Sequence, residues 1–203
     1  MSSRDDILAR LRANRPQGRH DLPVVPDFTK PPAEGLEQKF RAMLELAGGK
    51  ILEPDGSGDL LAPLRARLAA SPAVCSAVPD VQGQIDLSTV ALPRDLAGVD
   101  IAVVRAAFAV AETGSILVSE EELHINALGY LAQHLIVLVD PAQIVTGIQH
   151  AYMQPHFHSA RYACFQTGPS ATADIEGVLI RGAQGVRSLT VAFVPRGYVS
   201  PAA

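Results

Sequence analysis

Between residues 101 and 118 the chain runs almost without polar interruption, broken mainly by Arg105, Glu112 and a few small residues. A continuous apolar stretch is what strands require when helices cover both of their faces, because neither face can then alternate with solvent. The stretch is too long for one strand, so a turn falls within it. Around it, helical spacing alternates with short β runs. Leu36, Phe40, Met43, Leu44 and Ala47 line one helical face that Gly48 and Gly49 end, and Leu60, Leu61, Leu64 and Leu68 line another. Residues 50–52, 73–78, 134–139, 162–166 and 188–194 read as strands, whereas 123–131, 144–152 and 172–184 read as helices and 87–98 as a helix or turn. This alternation predicts an α/β fold, a three-layer α/β/α sandwich around a mostly parallel central sheet.

The N-terminal segment has a different character. Ser3 and Asp6 fit a capping box, after which Ile7, Leu8 and Leu11 share a helical face. Pro16, Pro23, Pro26, Pro31 and Pro32 then remove backbone donors and favour extended geometry, which makes a linker or wrapping arm. The expected organisation is a helix and proline-rich arm over 1–35 and one α/β domain over 36–203.

Composition narrows the function. With 203 residues, 48% of them hydrophobic, the chain buries a core without needing a disulfide or metal. A formal charge of −4 and no basic run argue against nucleic acid. Only Cys75 and Cys164 are present, and no CxxC, so the chain lacks the thiolates for an iron–sulfur cluster or a Cys-rich zinc site. The first fifteen or so residues lack the apolar segment of a signal peptide, and no apolar run reaches the ~20 residues that span a bilayer. The expectation is a cytoplasmic protein with free thiols and no membrane contact.

Several segments can carry chemistry. Glu112, in Ala111-Glu112-Thr113-Gly114-Ser115, lies among apolar neighbours and needs hydrogen bonds or a partner. One reading makes it a nucleophile or base at a strand end, with Gly114 allowing close backbone approach; the other makes it an acceptor that locks a turn. Arg105 cannot discharge, so it requires a core acid or a small carboxylate ligand. Residues 167–176, Thr-Gly-Pro-Ser-Ala-Thr-Ala-Asp-Ile-Glu, read as a strand, a glycine turn and a helix start. There Thr172 and Asp174 cap, while Gly168 and Ser170 face a ligand. His150, His156 and His158 read as solvated and His134 as a satisfied core histidine, so no metal is expected.

The 109–115 and 134–139 segments, and above all Thr167-Gly168-Pro169-Ser170-Ala171-Thr172-Ala173-Asp174-Ile175-Glu176, resemble the lactate utilisation protein C family, whose members carry a LUD domain. The resemblance covers residues 50–194 and implies a fold similar to the NagB/RpiA/CoA-transferase group. It also implies a part in oxidising L-lactate to pyruvate beside two partner subunits, one of them an iron–sulfur protein with its own LUD domain. No cofactor is then expected in this chain, and a small organic acid is the expected ligand. By motif matching the site candidates are Glu112 as catalytic residue, with Arg105, Thr113, Gly114, Gly168, Ser170 and Asp174 binding ligand. The chain departs from the family's Gly-Val-His-Gly-Pro with Gly182-Ala183-Gln184-Gly185-Val186. The alternative reading is a stand-alone transferase or isomerase of the same fold group using Glu112.

Overall fold

The computed structural model describes residues 2–16, 18, 21, 23–174, 176–181 and 185–201. Its centre is a five-stranded, all-parallel sheet in the order β1 (Lys50–Ile51), β11 (Ser188–Phe193), β6 (His134–Val139), β3 (Ile101–Arg105) and β2 (Val74–Ser76). Val103 pairs with Ile136, and Ile136 with Thr190, so the three central strands are in register. Strand alternation then sorts the apolar residues onto two faces. Ile101, Val103, Ile136, Leu138, Ala192 and Val194 pack with Leu61, Leu64 and Leu68 at helix α3 (Ala62–Ala69). Ala102, Val104, Leu135, Val137, Leu189 and Val191 pack with Phe40 and Leu44 of helix α2 (Leu36–Leu46). The result is the mostly parallel sheet flanked by helices that the alternation predicts.

The long apolar run makes three strands, not two. After β3 the chain leaves the central sheet and forms β4 (Phe108–Val110) and β5 (Ser115–Ser119), which pair antiparallel in a second sheet of order β7-β4-β5-β8, with β7 at Ile144–Val145 and β8 at Ala163–Gln166. This sheet too is covered twice, which is why polar residues are missing throughout. Ala109, Ile116 and Val118 join the main core, while Phe108, Val110 and Leu117 face Ala151, Ile148 and Phe157. The last three belong to short helices α6 (Ile148–Tyr152) and α7 (Pro155–Ser159).

Other expectations need correction. Residues 144–152 divide into β7 and α6. Residues 123–131 divide between α4 (Glu120–Leu123) and α5 (Leu128–Leu131), because His124 takes φ +58° and stops the first helix. Among the described residues of 172–184 the chain forms, instead of a helix, a hairpin of β9 (Ala171–Thr172) and β10 (Ile180–Arg181). Glu176 and Gly177 turn it with φ of +54° and +69°, and the β-branched Thr172, Val178 and Ile180 suit strands better than a helix. Helix α1 (Ser3–Ala13) is capped one residue earlier than expected, by Ser2 with Asp5. None of its residues is buried. Beyond it the arm lies along α6, where Gln149 bonds Phe28 N and Pro26 O at 3.4 and 3.3 Å.

Candidate functional site

Two of the three segments that carry the family likeness, 109–115 and 167–176, meet on α2. Gly114 has φ +68°, and a Cβ there would stand 2.5 Å from the Met43 carbonyl carbon and 2.7 Å from Leu44 Cα. Gly168 has φ +69°, and a Cβ would press on the Ala47 carbonyl group at the end of the same helix. Both glycines are needed twice over, for the left-handed backbone and for the close approach. Between them runs a chain of hydroxyls. Thr113 Oγ1 lies 2.7 Å from Ser115 Oγ, which lies 2.5 Å from Thr167 Oγ1.

Beside this junction a cleft of about 390 Å³ opens between α5, β8 and the Gly168 turn, and Tyr130, Cys164, Gln166, Ser170 and Gly185 are in its wall. Gln166 Nε2 donates to Gly129 O at 3.1 Å, which fixes the amide and leaves Oε1 buried with no acceptor role filled among the described residues. A buried acceptor without a donor is uncommon in a folded protein. The Tyr130 and Tyr162 hydroxyls bond to each other. Burial, then hydrogen bonds with Cys164 and Tyr162, push the Tyr130 phenol far above its ordinary range and keep it neutral. Ser170 is held by its N–H to Val186 O at 2.9 Å. No cationic side chain lines the cleft among the described residues. The wall therefore suits a neutral hydroxyl, amine or amide better than a carboxylate.

Of the residues singled out from sequence, Gly168 and Ser170 line this cleft, and Thr113 and Gly114 buttress it. Glu112 does not. It is exposed rather than buried, because it follows the last paired residue of β4 where the chain surfaces, and its Oε2 accepts Ile148 N–H at 2.9 Å. That is the turn-locking role. Asp174 is exposed at the β9–β10 hairpin, its N–H on Thr172 Oγ1 at 3.3 Å, and starts no helix. Arg105 stands at the carboxyl end of β3, whereas Val186 of the cleft precedes β11 at the amino end, so the two lie at opposite ends of the sheet. Its partner is the Val194 carbonyl at 2.8 Å, not an acid. Gly182, Ala183 and Gln184 lie outside the described residues. Sequence reasoning passed over Tyr162, Cys164 and Gln166, although alternate positions leading into the Gly168 turn place all three on one strand face.

His158 is exposed as expected, whereas His150 and His156 are partnered. His150 Nε2 meets Asp27 of the arm at 3.0 Å, and His156 Nε2 contacts Ser119 Oγ at 3.2 Å and Glu122 at 3.3 Å. His134 is satisfied by Ser188 at 2.8 Å. Glu121, Glu122 and His156 hold ligand-type atoms within 4.8 Å of one another, but Glu122 is already engaged by Ser119 N and Oγ at 2.9 and 2.7 Å in the α4 capping box.

Known proteins agree with this architecture. A LUD domain family model matches residues 76–194, so the chain belongs to the LUD domain family, which is linked to lactate utilisation. No curated protein matches it. The crystal structure of a DUF162 family protein from Deinococcus radiodurans is similar over 78% of this chain and 96% of its own, with a TM-score of 0.54 and 15% identity, a likeness of fold. No helix among the described residues is long and apolar enough to cross a membrane.

Proposed function

We propose that this chain is the non-iron–sulfur subunit of a cytoplasmic system that oxidises L-lactate to pyruvate, binding the organic acid and its partner subunits while an iron–sulfur LUD-domain protein and a second subunit carry the electrons. The observation behind this reading is a LUD domain combined with thiols unsuited to a cluster. Cys75 is buried in β2 of the central sheet and Cys164 sits in β8 of the other sheet. An iron–sulfur cluster takes four thiolates in its usual form. Lactate oxidation releases an electron pair, which in this reading passes to a cluster on the partner protein. In this reading the Gly168 cleft, walled by Tyr130, Cys164, Gln166 and Ser170, receives a neutral group of a partner subunit. The transferase alternative would use Glu112, one oxygen of which accepts the Ile148 N–H at the α6 N-terminus.

The test mixes purified chain, L-lactate and an artificial electron acceptor with and without the cluster-bearing partners. Turnover in the full mixture that disappears when this chain is omitted supports the reading. Undiminished turnover without it, or turnover by the chain alone, overturns it.

A further inference from the structure

We infer that the carboxyl edge of the central sheet holds a site for a small oxyanion, a carboxylate or a phosphate, gripped between Arg105 and Arg196. The inference deepens the proposed function by locating its acid-binding site, and it rests on that reading only for the choice of lactate as one probe.

β3 and β11 flank β6, so their exits stand on either side of the β6 exit. Arg105 reaches across to Val194 O at 2.8 Å, and Arg196 Nη2 reaches back to Ala106 O and Ala107 O at 3.2 and 3.1 Å. Each guanidinium is thus braced on the backbone of the opposite strand exit. This fixes two like charges near each other. Burial first, and the charge of Arg196 second, hold the Arg105 guanidinium below its ordinary basicity.

Neither arginine has a carboxylate within salt-bridge distance among the described residues. The Nε and Nη2 groups of Arg105 and the Nε and Nη1 groups of Arg196 have no protein acceptor there. Asp140, at the β6 exit, is committed to the backbone, with Oδ1 on Ala142 N–H and Oδ2 on Arg196 N–H at 2.9 and 3.0 Å. Asp80 acts on Arg105 from the loop after β2 and lines the adjoining cavity of about 680 Å³ with Arg65, Gln82 and Tyr198. These two acids limit the charge the site tolerates, which favours a small oxyanion over a polyphosphate. Arg105 keeps its side-on pair of N–H groups, Nε and Nη2, free for an oxyanion and Arg196 adds single N–H donors, and open α/β sheets bind ligands outside the carboxyl ends of their strands. The Gly168 cleft, by contrast, offers no cation among the described residues.

Isothermal titration of the full chain with L-lactate and, separately, with inorganic phosphate at low ionic strength tests the site. Saturable binding of either one, weakened at least tenfold in Arg196→Gln and in Arg105→Lys, is expected. Arg196 is exposed, so its variant folds even if the Arg105 variant does not. Binding of neither oxyanion, or binding that Arg196→Gln leaves unchanged, overturns the inference. Phosphate binding without lactate binding keeps the site and separates it from the lactate reading, which stands or falls on the reconstituted mixture.

Discussion

Replacing Gly114 by Ala separates two reasons for a glycine. The left-handed backbone alone costs an L-residue roughly 1–2 kcal/mol. The new Cβ would also enter the backbone of α2, 2.5 Å from the Met43 carbonyl carbon and 2.7 Å from Leu44 Cα, and backbone cannot swing aside as a side-chain tip can. Overpacking of this kind costs about 1–3 kcal/mol, so Gly114→Ala is expected to lose roughly 2–5 kcal/mol in all. Two further glycines serve as internal controls. Gly177 shares the conformation at φ +69°, but nothing lies within 4 Å of where its Cβ would stand, so Gly177→Ala should show the conformational cost alone. Gly98 has open space and no positive φ, and Gly98→Ala should be neutral or slightly stabilising through the unfolded chain. Urea unfolding followed by circular dichroism gives the three midpoints at a common m-value. If Gly114→Ala loses no more than Gly177→Ala, the close approach to α2 carries no energy and the account of the junction is wrong.

Glu112→Ala should cost about 0.5–1 kcal/mol by uncapping α6, with Glu112→Gln retaining an acceptor and losing less, as read from the same unfolding curves. Tyr130→Phe should destabilise by about 1–3 kcal/mol, since Tyr162 then keeps a half-buried hydroxyl without its partner. The raised Tyr130 pKa gives stability that is complete below the unfolded tyrosine pKa near 10 and declines as pH rises above it, by about 1.4 kcal/mol per pH unit for one proton. Tyr130→Phe should flatten that alkaline slope, and an unchanged slope would assign it to other groups. Removing residues 2–13 should leave the thermal midpoint within about 2 °C of the full chain, because α1 buries nothing in the domain.

What the sequence discloses follows from which interactions are local. α2, α3, β6 and β11 are legible because each buries a periodic face, and burial writes period directly into residue order. The hairpin at Ala171–Arg181 is not, since its short segment mixes helix-compatible acids with β-branched residues, and its contact of Arg181 with Gly48 at the end of α2 is remote in sequence. Glu112 misleads for a related reason. Its apolar neighbours in sequence are core residues of strands on either side, while the turn between them carries the carboxylate out to α6.

The arginine pair marks the limit more sharply. Arg105 announces itself by standing in an apolar run, which demands a partner of some kind, and the demand is met by a backbone carbonyl rather than by a charge. Arg196 sends no such signal, because Pro195 and Gly197 make its surroundings look like any exposed turn. The two become one feature only through the strand order, in which β11 and β3 stand on either side of β6 although nearly the whole second half of the chain separates them. Polar groups that act together on a sheet edge are thus hidden from any local pattern, whereas the Thr113–Ser115–Thr167 hydroxyl chain is half visible, two of its members being neighbours on one strand entry. Sequence spacing finds functional groups where one element presents them; where several strand ends converge, topology has to be known first.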